Sequence, residues 1–111
     1  MTIAIFALQS YTSSADATSY TVTSYTPTAN RLLLAFIATR GATANPTLTG
    51  NSVTWEVVGA INGITDGRLM VFAALSGTGS SAGTLLVDYG VGNTQTGQLV
   101  SIMEASGVWS V

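Results

Sequence analysis

The apolar runs of this chain are short, and each is soon followed by glycine, proline, asparagine, aspartate or small polar residues. Residues 2–9 form the first run, with Ile3, Ile5 and Ala7 on one face and Ala4, Phe6 and Leu8 on the other. Residues 10–18 are small and polar and read as a loop, with room for one helical turn near 13–18. Residues 19–26 alternate, Tyr20 and Val22 against Thr21, Thr23 and Tyr25, as a half-buried strand does. Pro27 ends that run, because proline lacks the donor a central ladder needs. Residues 31–39 are apolar on both faces, Leu32, Leu34, Phe36 and Ala38 opposing Leu33, Ala35 and Ile37. Such a strand belongs in the middle of the structure. A helix is the rival reading, but the run is too short and Arg40-Gly41 closes it.

The remaining runs repeat this grammar. Residues 47–49 suit a short strand. Residues 52–60 place Val53, Trp55 and Val57 opposite Thr54, Glu56 and Val58, with a tight hairpin expected at Gly50-Asn51-Ser52. Asn62-Gly63 and Asp66-Gly67 are turn dipeptides. Residues 68–75 form a second central strand, and 84–89 and 98–105 the last two. Arg31-Leu32 and Arg68-Leu69 each open a central strand, with the arginine at its rim. Seven or eight strands with turns every eight to twelve residues indicate an all-β sandwich or barrel; the expectation is an antiparallel, jelly-roll-like sandwich. Residues 1–111 are one domain's length. The expected core is Leu32, Leu34, Phe36, Trp55, Leu69, Val71, Phe72, Leu99 and Ile102.

Chemistry is tightly bounded. The chain has no histidine, cysteine or lysine, so it offers no Ser–His, Cys–His or Ser–Lys nucleophile and no Schiff base. It equally lacks the nitrogen and sulfur ligands of a zinc site. The five acids, Asp16, Glu56, Asp66, Asp88 and Glu104, are scattered, and no pair has glycosidase spacing. Asp88 with Asn93 is the one place for a weak calcium site, against a turn held by side-chain hydrogen bonds. Gly77-Thr78-Gly79 lacks the Gly-Lys of a phosphate loop. The expectation is a protein with no catalytic residues, no cofactor and no metal.

Partners are bounded by charge. Only 7% of residues are charged, against about 25% in ordinary domains. Three arginines and a net charge of −2 disfavour nucleic acid. No run approaches the roughly 20 apolar residues of a membrane helix, so no membrane partner is expected. Threonine (17) and serine (12) supply most of the polar surface. Charge keeps free proteins apart, and a chain with so little suits life inside a larger assembly or an extracellular setting. Tyr11, Tyr20, Tyr25 and Trp109 are the candidate partner-contacting aromatics, Trp109 because a tryptophan so near the chain end must dock somewhere.

Several motifs occur in a particular order: Arg-Leu-Leu-Leu at 31–34, Pro-Thr-Leu-Thr-Gly-Asn at 46–51 leading to Trp55, Arg68-Leu69, Asp-Tyr-Gly at 88–90, Gln-Thr-Gly at 95–97 and Glu-Ala-Ser-Gly-Val at 104–108. This order resembles a group of small β-sandwich domains in uncharacterised phage and bacterial virion or surface proteins. The likeness covers roughly residues 31–108 and rests on turns and core positions. It implies a fold and a virion location, with an extracellular or cell-surface location as the alternative. The expected function is that of a phage capsid decoration, cement or tail-associated subunit. Its partners would be itself, as a homo-oligomer and by analogy a trimer, and other virion structural proteins. Relatives of this kind run on beyond Ser-Gly-Val. Ending at Val111 leads to the expectation that a neighbouring subunit completes the sandwich along an unpaired edge. The alternative is a carbohydrate-binding or adhesive module using exposed tyrosine and tryptophan.

Overall fold

The alternating runs become eight strands in the computed structural model, which describes residues 3–41, 45–63, 67–78 and 81–107. They are β1 (Ala4–Ser13), β2 (Ser19–Tyr25), β3 (Leu32–Gly41), β4 (Thr47–Thr49), β5 (Glu56–Asn62), β6 (Gly67–Leu75), β7 (Gly83–Asp88) and β8 (Gln95–Ser106). They form two antiparallel sheets, one ordered β1-β8-β3-β6-β5 and one ordered β2-β7-β4. The fold is an all-β sandwich. First pairs with eighth, second with seventh and third with sixth, the nested pairing of a jelly roll. The series breaks at the next step. β4 edges the small sheet beside β7, whereas β5 joins the large sheet beside β6.

Glycine and asparagine make that crossing. Gly50 sits at φ +149°, and a Cβ there would collide with the carbonyl oxygen of Thr84. Asn51 and Ser52 follow at φ +59° and +55°. Both values belong to the left-handed region, which asparagine tolerates better than most residues. The hairpin expected here is corrected: the turn carries the chain from one sheet to the other, and the next strand starts at Glu56 rather than Ser52. β1 likewise runs through Ser13 instead of stopping at Gln9, because it pairs with β8 along its whole length. The helical turn expected near 13–18 is replaced by an isolated bridge between Ala17 and Gln95.

Between the sheets, Leu33, Ala35 and Ile37 of β3, Met70 and Phe72 of β6, and Val100 and Ile102 of β8 are buried. Tyr20, Val22 and Tyr25 of β2, Leu48 of β4, and Leu85, Val87 and Tyr89 close over them. Phe72 and Ile102 therefore lie in the core as expected, and Trp55 packs against it partly buried. Leu32, Leu34, Phe36, Leu69, Val71 and Leu99 do not: they sit on the opposite face of the large sheet. Polar residues accompany the inward set. Thr39 Oγ1 donates to Gln95 Oε1 (2.7 Å) and Tyr89 OH to Gln98 Oε1 (2.6 Å). At the other end, Glu104 accepts from Thr28 N (2.9 Å) and Thr28 Oγ1 (2.8 Å). With its polar side chains satisfied in this way, the more mixed face is the one that can be buried.

Candidate assembly surface

The register of the large sheet sets out its outer face row by row. One row runs Thr12, Leu99, Ala38, Leu69, Ile61 across the five strands. The next runs Ser10, Ser101, Phe36, Val71, Gly59, and the third Ala7, Met103, Leu34, Ala73, Glu56. The fourth runs Ile5, Ala105, Leu32, Leu75 over four strands. Glu56, on the edge strand, is the one charge in these rows. Leu69 and Leu99 are each 49% exposed, Leu75 61% and Ile61 65%. Isolated exposed leucines are ordinary, whereas a contiguous apolar surface of this kind marks a contact site.

The outer face of the small sheet is built differently. Its rows are Ser19, Asp88, Thr47 and Thr21, Leu86, Thr49. Threonine gives strand propensity together with a hydroxyl for water, and this sheet uses it. The large sheet places leucine, isoleucine, valine and phenylalanine at the equivalent positions. The two outward faces of one sandwich thus differ in chemistry, and the difference follows the sheets rather than the overall composition.

Each edge of the large sheet carries a β-bulge. On β1 the register shifts between Ala7 and Gln9, and on β5 between Val57 and Gly59. Bulges disrupt the ladder and blunt an edge against pairing with another chain. At one end of the sheet, Arg68 donates to the side-chain oxygens of Asn45 and Asn62. At the opposite corner, Leu32, Ala73, Leu75, Glu56 and the 52–54 segment line an open hollow of about 470 Å³.

The three predicted partner-contacting tyrosines fall elsewhere. Tyr20 and Tyr25 are 4% and 5% exposed and belong to the core, which corrects their expected place on the surface. Their rings fill the gap between the sheets, and burial raises both phenol pKa values above the usual 10. Tyr11 is partly buried and meets Tyr20 edge-on, with ring centroids 6.5 Å apart. Trp109 lies outside the described residues. Sequence reasoning assigned the outer-face leucines to the core because it took a strand apolar on both sides as central to the structure. The cue to a second contact face was that same two-sided apolarity.

Asp88, like Glu104, has structural surroundings. Asp88 Oδ1 accepts from Gly90 N (2.9 Å) and Asn93 Nδ2 donates to Tyr89 O (2.9 Å), so both side chains serve the turn. No group of three metal-ligating side chains occurs among the described residues. No helix among them is long and apolar enough to cross a membrane. Four buried polar atoms have no hydrogen-bond partner among the described residues: Tyr25 OH, Asn51 Oδ1, Trp55 Nε1 and Arg31 Nε. No protein-family model matches the sequence, and no curated protein or solved structure is significantly similar to it.

Proposed function

We propose that this chain is a non-enzymatic structural subunit that works by assembling with copies of itself and with other structural proteins. The observation that carries this reading is the aliphatic outer face of the five-stranded sheet. Burying apolar area is favourable by about 25 cal/mol per Å², so a face of this kind gains free energy whenever a matching surface covers it. The setting in this proposal is a phage virion, with the chain as a capsid decoration, cement or tail-associated subunit. The motif order over residues 31–108 and the 7% charged composition support that setting. The carbohydrate-binding alternative has less support, because Tyr20 and Tyr25 are inside the sandwich and offer no stacking platform.

Light scattering of the purified chain over a dilution series tests the reading. The expected result is an oligomer whose population rises with concentration. A monomer of 11.3 kDa at every concentration would overturn self-assembly as its mode of action.

A further inference from the structure

Resting on that reading, we infer that the self-contact is a two-fold, face-to-face stacking of the five-stranded sheets of two copies, not pairing along their edges. Size gives the first argument. Five strands about 4.8 Å apart and seven residues rising about 3.3 Å each make the face roughly 24 by 23 Å, or about 550 Å². Two such faces bury about 1,100 Å² together, just above the roughly 1,000 Å² that a specific interface requires. That floor is reached only by an occupant spanning all five strands. A helix about 10 Å across covers less than half the width. A second copy presents a sheet of the required width, and sandwich sheets stack in this way at about 10 Å.

Charge gives the second argument. The rows through Leu99, Phe36, Leu34 and Leu32 carry no charge except Glu56, on the edge strand. A self-complementary contact through them therefore buries no central charge against its own copy. The charges available to an anionic or cationic partner lie at the margins of the face, Glu56 on the edge strand and Arg40 one row beyond Ala38. The edges give the third argument. Both outer strands of the sheet are bulged, at Leu8 and at Val58, which opposes the edge pairing expected from the sequence.

The symmetry has a consequence. β3 is the middle strand of five. A two-fold axis lying in the interface therefore sets one β3 over the other, with Phe36 near the axis. Such an isologous contact closes at two copies. It gives a dimer and not the trimer expected by analogy.

The test combines light scattering with two sets of variants. The parent chain is expected at twice 11.3 kDa. Leu69→Lys with Leu99→Lys flanks Ala38 with two ammonium groups at half-exposed positions. Like charges brought together in a dry contact are strongly unfavourable, so dissociation should be at least about a hundredfold easier, with an unchanged far-ultraviolet spectrum. The chain has no cysteine, so a second measurement places one at Phe36→Cys or, on the edge strand, at Ala60→Cys. A short bis-maleimide should link two copies through position 36 and not through position 60, and this readout stands even if the lysine pair fails to fold. A trimeric parent, an oligomer indifferent to the lysine pair, or linkage through position 60 alone would overturn face stacking while leaving self-assembly intact. A monomeric parent would remove both.

Discussion

Asn51 should be the most position-sensitive polar residue in this sandwich. Its Nδ2 donates to the carbonyl oxygens of Tyr25 (3.2 Å), Ser81 (2.9 Å) and Gly83 (3.1 Å). It thus ties the end of β2 to the start of β7 from the turn that passes between the sheets. The residue is 6% exposed and its φ is +59°. Two amide hydrogens, each worth about 1 kcal/mol net, are lost in Asn51→Gly, which keeps the backbone at ease. Asn51→Ala loses the same bonds and puts in the left-handed region a residue that tolerates it less well than asparagine, which adds about 1 kcal/mol, about 3 kcal/mol in all. The unfolding entropy of about 2.1 cal/mol/K per residue turns that into a Tm lower by about 13 °C for a chain of this length. Asn51→Asp keeps the shape but aims a carboxylate at three carbonyl oxygens in a buried place, and should cost more than either. Its penalty should relax as pH falls and the new carboxyl takes up a proton it can donate. Thermal unfolding followed by circular dichroism, in dilute solution, orders the three. A wild-type Tm for Asn51→Asp would refute the reasoning, because an ionised carboxylate cannot make these bonds.

Two further outcomes follow from burial. Ile37→Ala removes three carbons from a fully buried side chain and should cost about 3–4 kcal/mol. Leu69→Ala, on the outer face, should cost under about 1.5 kcal/mol in the dissociated chain. Denaturant titration separates them, and equal costs would show that the inward face has been misassigned. Burial also raises the phenol pKa values of Tyr25 and Tyr89. Above pH 10 the unfolded chain gives up protons that the folded chain retains, so stability falls with rising pH, by about 1.4 kcal/mol per unit for each phenol. Absorbance at 295 nm should show these tyrosines ionising together with unfolding. Ionisation with the fold intact would contradict their burial.

What the sequence determined by itself was the β class and most of the strands. Alternation and turn residues are local: the period of two over 19–26, and the short length and closing turns of the two-sided apolar runs at 31–39 and 68–75, need no partner to be read. The absence of histidine, cysteine and lysine was equally legible. The tertiary structure decided which face of each strand turns inward. On β3 and β6 both faces are apolar, so periodicity separates the two sets without ranking them. The ranking came from β8, whose Gln98 and Glu104 find partners in Tyr89 and Thr28 only between the sheets. It also decided that β5 leaves β4 for β6, a choice made at Gly50 and Asn51 by contacts with Thr84, Ser81 and Gly83 far along the chain. Those contacts lie thirty or more residues away, and no local pattern encodes a pairing at that distance. The aliphatic face is the joint product of the two: the sequence supplied two-sided apolar strands, and the topology left one side uncovered.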